Sequence, residues 1–145
     1  MKISLPEKKM FIHCSKISIN WGDMDALGHV NNTMYFRYME IARVNWLDSL
    51  GIKLGDNHQS FIIVNAFCEF LSPLTYPETL NVETFISERG YSSLGLFHEL
   101  KIAEGNEGQN LIANGFVTCV WFDLERQESI PIPNVIKDSL APYIK

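Results

Sequence analysis

Apolar residues recur at Tyr35, Met39, Ala42, Trp46 and Leu50, in steps of four, three, four and four. That spacing places them on one face of a 3.6-residue helix. Asn31 or Asn32 suits the N-cap and Gly51 the C-terminal end. The predicted helix has about 19 residues and spans about 28 Å at 1.5 Å per residue. It is long for a chain of 145 residues and is the only long helix that the pattern supports.

Elsewhere the period is two. Ile12, Cys14, Ile17, Ile19 and Trp21 mark a strand with one slip of phase, which predicts a bulge. The polar residues 1–10 before it read as frayed. Gly22 to Asn32 is a loop rich in Gly, Asp and Asn. Beyond the helix, Phe61 to Leu71 is an apolar run that ends at Ser72-Pro73. Leu80, Val82, Thr84 and Ile86 alternate with polar neighbours, and Phe85 faces the other way. Leu94, Leu96, His98, Leu100 and Ile102 set the next strand. Glu104 to Gly108 then forms a hairpin connection to a strand from Leu111 to Leu124. Pro131 and Pro133 precede a short helical tail, Asn134 to Leu140. The order predicts an α+β fold in a single domain over 1–145. Its antiparallel sheet has one hydrophobic face, which the long helix covers.

Composition narrows the function. Hydrophobic residues at 46% and charged residues at 20% exclude wholesale disorder. A net charge of -5 and a pI of 5.3 exclude a general binder of nucleic acid or of anionic membrane. Cys14, Cys68 and Cys119 are odd in number and widely spaced, which supports neither a disulfide framework nor a zinc knuckle. Reduced thiols in a cytoplasm are the simple reading. The first residues lack the roughly 7–15-residue apolar run of a signal peptide. No stretch approaches the roughly 18 apolar residues of a membrane span. The expectation is a soluble cytoplasmic protein with no stable membrane insertion.

Chemistry concentrates in Asp23-Met24-Asp25-Ala26-Leu27-Gly28-His29-Val30-Asn31-Asn32. A loop entering a helix N-terminus gathers unpaired backbone N–H groups and the positive end of the helix dipole, which favour an anion or a developing oxyanion. A carboxylate beside it can serve as base or nucleophile, and the two together suffice for acyl transfer. The same residues also fit plainer roles. Asp23 and Asp25 suit a turn, His29 a solvated loop, and Asn31 and Asn32 caps alone.

The block from Trp21 to Arg43 resembles the hotdog-fold thioesterases of the 4-hydroxybenzoyl-CoA thioesterase family. That family reads D-x-D-x-x-G-x-V, then a helix with an early Tyr and E-x-x-R. Asp23, Asp25, Gly28, Val30, Tyr35, Glu40 and Arg43 stand in that order here. Phe70 to Leu74, Tyr76 to Leu80 and Arg126 to Pro133 resemble later stretches of the family. The resemblance implies a five-stranded antiparallel sheet wrapped around one long helix. It implies a homodimer or homotetramer with active sites at the dimer interface, and hydrolysis of fatty or aromatic acyl-CoA. No cofactor is implied beyond the coenzyme A of the substrate.

On the same grounds Asp25 is the catalytic carboxylate, attacking the carbonyl or activating water. The backbone N–H of Asn32 polarises the thioester oxygen. Gly28, Val30 and Tyr35 are substrate-binding candidates, with packing as the other role for Tyr35. Arg89, Ser92 and Ser93 follow a strand where relatives meet the pantetheine and phosphates; a plain turn is the other reading. His29 departs from the pattern and is a further catalytic candidate, which would orient substrate or shuttle a proton beside Asp25 as in an acyl-ACP thioesterase. Plant acyl-ACP thioesterases, which read D-x-N-x-H-V-N-N, use Asp, Asn and His, but Leu27 replaces that Asn. Glu40 and Arg43 read as an intrahelical pair. Glu69 reads as a solvent-face residue, or a base donated across the dimer.

His13, His58 and His98 lack ligand-like spacing, so no metal is expected. P-loop, Rossmann and serine-hydrolase signatures are absent. A hotdog hydratase would need D-x-N-x-x-H, which this loop lacks. A non-catalytic acyl-CoA or acyl-carrier-protein binding module remains the other rival, opposed by the retention of Asp25.

Overall fold

The structure is a computed structural model that describes residues 9–103 and 110–143. The connection expected at 104–108 and residues 1–8 lie outside the described residues.

Helix α1 (Asn32–Ser49) follows the predicted stripe. Asn31 is its N-cap, with Oδ1 accepting the Thr33 N–H at 2.9 Å. Gly51 follows its end at φ +77°, a conformation that favours glycine, and gives its N–H to Asp48 O at 2.9 Å. Tyr35, Met39, Ala42 and Trp46 are buried as the periodicity predicts. Tyr38 and Leu47 are buried as well, so the inner face is wider than the stripe.

The strands are β1 (Met10–Ser18), β2 (Gln59–Phe70), β3 (Thr79–Arg89), β4 (Ser93–Ile102), β5 (Leu111–Asp123) and the two-residue β6 (Glu128–Ser129). All pair antiparallel in the order β1-β3-β4-β5-β2, with β6 added to β5. Helix α2 (Asn134–Leu140) closes the chain where predicted.

The strand phase of β1 differs from the reading above. The extra residue lies at Ile12, between Phe11 and His13 in the register with β3. The phase has therefore already shifted at Cys14, which is exposed, and Ser15 is the residue that turns inward. Ser15 Oγ is satisfied by Asn45 Nδ2 of α1 at 3.3 Å. Trp21 is not in the strand but in a single 3-10 turn, Trp21–Asp23, and is 73% exposed.

Helix α1 covers one face of the curled sheet. The core beneath it forms two clusters. Tyr35, Tyr38, Met39, Leu80, Val82 and Leu100 pack toward the N-terminal end of α1, and Trp46, Leu47, Ile86, Leu94, Leu96 and Trp121 toward its C-terminal end. One row of the register runs between them: His13, Thr84, His98, Gly115 and Cys68, one residue from each long strand. Gly115 has a steric reason. A Cβ there would overlap Met39 Sδ, so glycine lets the helix approach β5.

The opposite face is not plainly polar. Phe11, Phe85, Phe97, Phe116 and Phe67 are register partners in turn, forming an aromatic row across all five long strands. Phe85 stands edge-on to Phe11 and Phe97, with centroids 5.8 and 6.1 Å apart. Lys9 Nζ lies 3.9 Å from the Phe97 centroid and bonds Glu99 at 2.9 Å. Cross-strand aromatic pairs of this kind strengthen a sheet.

Candidate active site

The loop from Met24 to Val30 is a small closed unit. Met24 and Val30 form an isolated β-bridge. The Asp25 N–H donates to His29 O at 2.8 Å, and the Gly28 N–H to Asp25 O at 3.1 Å. Gly28 stands at φ +79° with open space around its Cβ position, so conformation rather than crowding calls for glycine. Asp25 Oδ1 accepts the Leu27 N–H at 2.8 Å, a turn-forming bond that leaves Oδ2 available.

The flanks fix this unit to the fold. The Val30 N–H donates to Leu74 O at 2.7 Å, and the Asn31 N–H to Asp23 O at 3.0 Å. Asp23 Oδ2 accepts from the Asn20 N–H at 2.9 Å and from the Tyr38 hydroxyl at 2.7 Å. Tyr38 lies one turn inside the helix, and its phenol is held well above the usual range by burial and by the Asp23 carboxylate. The sequence reading named Asp23 and overlooked Tyr38. The only signal was its place three residues after Tyr35.

Asp25, Val30, Asn32 and Tyr35 line one open cleft of about 310 Å³ with Phe70, Leu71, Ser72 and Pro73. Tyr35 both packs and lines it. It is buried, and its ring stands edge-on to Phe70 at 5.0 Å. The segment after β2 forms the facing wall, because Leu71 and Ser72 both donate to Ile112 O, at 2.9 and 3.2 Å. No residue of that wall was nominated from sequence, although Ser72-Pro73 marked the end of the strand.

At the helix end, the Thr33 N–H is taken by the Asn31 side chain and the Met34 N–H by Asn31 O at 2.9 Å. The Asn32 N–H has no acceptor among the described residues and belongs to a residue that lines the cleft. Such a donor at the positive end of a helix receives negative charge well. Cys68, which packs against the same part of the core, is pushed up to about 12 by burial and by Glu69. It is a neutral thiol at ordinary pH and a poor nucleophile.

The other candidates lie apart. The His29 side chain is exposed at the loop tip and makes no hydrogen bond among the described residues; only its carbonyl ties the loop. Arg89, Ser92 and Ser93 belong to the β3–β4 turn, beside the Trp46 end of the core, and none of them lines the Asp25 cleft. Backbone bonds hold that turn, from the Gly90 N–H to Ser93 O at 2.8 Å and from the Trp121 N–H to Ser92 O at 2.7 Å. Glu69 is exposed on the sheet face opposite α1, sharing that face with Phe67. Glu40 and Arg43 do not pair. Glu40 bonds Arg37 at 3.1 Å, and Arg43 turns inward to His98. Among the described residues, no group of three or more His, Cys, Asp or Glu side chains is arranged to hold a metal ion. No helix there is long and apolar enough to cross a membrane.

A curled antiparallel sheet around one long helix is the hotdog fold. The chain matches the thioesterase-like superfamily over residues 19–140, belongs to that family and is a thioester hydrolase. Among solved structures it is similar to the PA2801 protein from Pseudomonas aeruginosa. That similarity is 36% identity at a TM-score of 0.83, covering 90% of this chain and 99% of that one. It is also similar to the gentisyl-coenzyme A thioesterase BH1999, at 27% identity and a TM-score of 0.77, covering 88% and 98%. A further relative is the long-chain acyl-CoA thioesterase FadM of Escherichia coli (strain K12), 23% identical over 90% of this chain and 98% of that protein.

Proposed function

We propose that this chain hydrolyses acyl-CoA thioesters to the free acid and coenzyme A in the Asp25 cleft, with no resident cofactor. The carrying observation is the meeting, in one cleft, of a carboxylate and a helix-terminal N–H without an acceptor. The thioester carbonyl oxygen takes the Asn32 N–H, where the helix dipole stabilises the charge that develops in the tetrahedral intermediate. Asp25 Oδ2 delivers the nucleophile, either by attacking the carbonyl carbon or by deprotonating a water that does. Direct attack expels the coenzyme A thiolate and leaves an acyl–Asp25 anhydride. Trapping that anhydride with hydroxylamine in a single turnover separates it from attack by a deprotonated water; label from water in the Asp25 carboxylate would also mark direct attack. The two relatives with acyl-CoA thioesterase names support coenzyme A as the carrier.

The functional unit is a homodimer built on β2. That strand is an edge of the sheet, twelve residues long, with Ile63 and Val64 exposed and Glu69 its only charged residue. An unguarded edge of this kind pairs or is covered. Two-fold pairing of β2 edges continues the sheet and sets both α1 helices on one face, so each Asp25 cleft lies near the second copy. Three free cysteines fit a cytoplasmic site of action.

Asp25→Asn is the test. Losing a general base or nucleophile costs at least about 100-fold in kcat, while the far-ultraviolet circular dichroism stays that of wild type. A folded Asp25→Asn protein with near-wild-type turnover removes Asp25 from the mechanism, and no turnover of any acyl-CoA by wild type defeats the substrate class.

A further inference from the structure

Arg43 occupies the middle of α1 and points inward, where its guanidinium lies 3.4 Å from His98 Nε2. A guanidinium only donates, so Nε2 accepts and the ring proton sits on Nδ1, 3.1 Å from Thr84 Oγ1. His98 and Thr84 are fully buried. Their bonds aim the arginine and do not neutralise it. No carboxylate lies within 4.0 Å of it among the described residues, since Glu40 is engaged by Arg37. Arg43 is half-buried and makes one side-chain hydrogen bond among the described residues, so most of its five N–H groups can take a further acceptor.

What Arg43 faces is a groove of about 400 Å³ between α1 and the sheet. The helix supplies Thr33, Phe36, Arg37, Glu40 and Arg43 to it, a single face at helical spacing with Arg37 and Glu40 paired to each other. The sheet supplies Val117, Ala66 and Ile63, the last on the β2 edge proposed above as the dimer interface. Thr33 directly follows Asn32 of the Asp25 cleft, so cleft and groove succeed one another along the helix. From Thr33 to Arg43 the groove follows the helix for about 15 Å at 1.5 Å per residue. A hollow of about 70 Å³ lies on the other side of the arginine.

We propose that this groove holds the acyl part of the thioester, and that Arg43 reads an acceptor oxygen, hydroxyl or carboxylate, near the distal end of that acyl group. The inference rests on the thioesterase reading for the end at Asn32. The groove supplies the rest: Phe36, Ile63, Ala66 and Val117 as an apolar wall for a hydrocarbon, an exposed Arg37–Glu40 pair beside them, and at the far end a cation with no carboxylate within 4.0 Å among the described residues.

The experiment compares a medium-chain acyl-CoA with its ω-hydroxy and ω-carboxy counterparts of equal carbon number. With wild type, at least one oxygenated substrate exceeds the plain one in kcat/KM by about tenfold, the value of one good hydrogen bond to a charged group. The two oxygenated arms tell hydroxyl from carboxylate. In Arg43→Leu that ratio falls to about one. Arg43→Gln, which keeps an N–H for His98, guards against a variant that fails to fold and loses the ω-carboxy preference. Calorimetric binding of the three free acids to wild type and both variants reads the groove without turnover. Equal kcat/KM on all three substrates, or a preference that survives both substitutions, overturns the proposal. Arg43-dependent binding of an oxygenated acid without hydrolysis of any thioester upholds the groove and defeats the activity. Absence of both defeats both.

Discussion

Removing one hydroxyl tests how the proposed catalytic loop is held. Tyr38 is 2% exposed, and its one side-chain hydrogen bond among the described residues goes to Asp23, two residues before the proposed catalytic aspartate. A hydrogen bond to a charged group is worth about 1.5–3 kcal/mol net. In Tyr38→Phe the donor vanishes without leaving an orphan on the helix. Asp23 Oδ2 keeps the Asn20 N–H at 2.9 Å and some access to water, so the loss falls at the low end, about 1.5 kcal/mol. For a domain of this size that lowers Tm by about 5 °C. Thermal unfolding at matched protomer concentration measures it, since assembly shifts Tm by mass action. The Met24–Val30 bridge and the Asp25 N–H bond to His29 O remain, so kcat falls by less than about tenfold. Asp23→Asn completes a double-mutant cycle with a coupling of about 1 kcal/mol or more. A Tm within about 1 °C of wild type, or strict additivity in the cycle, refutes the bond's role.

His29→Ala removes an exposed imidazole but keeps the carbonyl that closes the loop, so kcat drops by less than about tenfold with an unchanged pH–rate profile; a loss as large as that of Asp25→Asn refutes this and favours a mechanism like that of plant acyl-ACP thioesterases. His98 is held well below its usual range, chiefly by burial and then by Arg43. The unfolded chain therefore binds a proton first, and stability is lost as pH falls below about 6.5, by up to about 1.4 kcal/mol per pH unit. Urea midpoints between pH 7 and 5 show the decline, and a decline of the same size in His98→Gln assigns it elsewhere. Sedimentation at micromolar concentration gives at least twice the 16.6 kDa of one chain, and a clean monomer at that mass refutes the β2 edge as an interface.

Sequence periodicity carried most of the fold, because burial on one face leaves a repeating mark. The stripe from Tyr35 to Trp46 and the alternation from Leu80 to Ile86 both reappear as buried positions. The turn structure of the loop was legible for another reason: its Asp, Gly and Asn residues have backbone roles, in the Asp25 bond to the Leu27 N–H, the positive φ of Gly28 and the Asn31 cap. The misses share a cause. Cys14 is apolar and Ser15 is not, so the bulge at Ile12 reversed the phase that polarity suggested. Glu40 and Arg43 stand at the spacing of a surface pair, and nothing local says that the arginine finds His98, fifty-five positions on. The phenylalanine row is invisible to any window, because its members come from five separate strands.

The polar row beneath α1 has a bearing on the site at its end. Thr84 and His98 interrupt aliphatic runs on β3 and β4, with Val82 and Ile86 on either side of one and Leu96 and Leu100 on either side of the other. They meet Arg43 from the helix, while Gly115 in the same row accepts Met39. A slide of α1 by one turn, about 5.4 Å, would carry the guanidinium onto Val82 or Leu96 and leave His98 without its donor. It would also drive a side chain other than Met39 against the Gly115 backbone. Stranding a buried charge and a buried imidazole together costs several kcal/mol, whereas two leucine-rich surfaces could slide with little penalty. The row therefore sets where along the sheet α1 begins. That start has to agree with the loop before it, which is tied to the helix through the Tyr38 hydroxyl on Asp23 and to the segment after β2 through the Val30 N–H on Leu74 O. Polar residues in the middle of the core thus help to keep an acceptor-seeking N–H and a carboxylate in one cleft, more than two helical turns away from themselves.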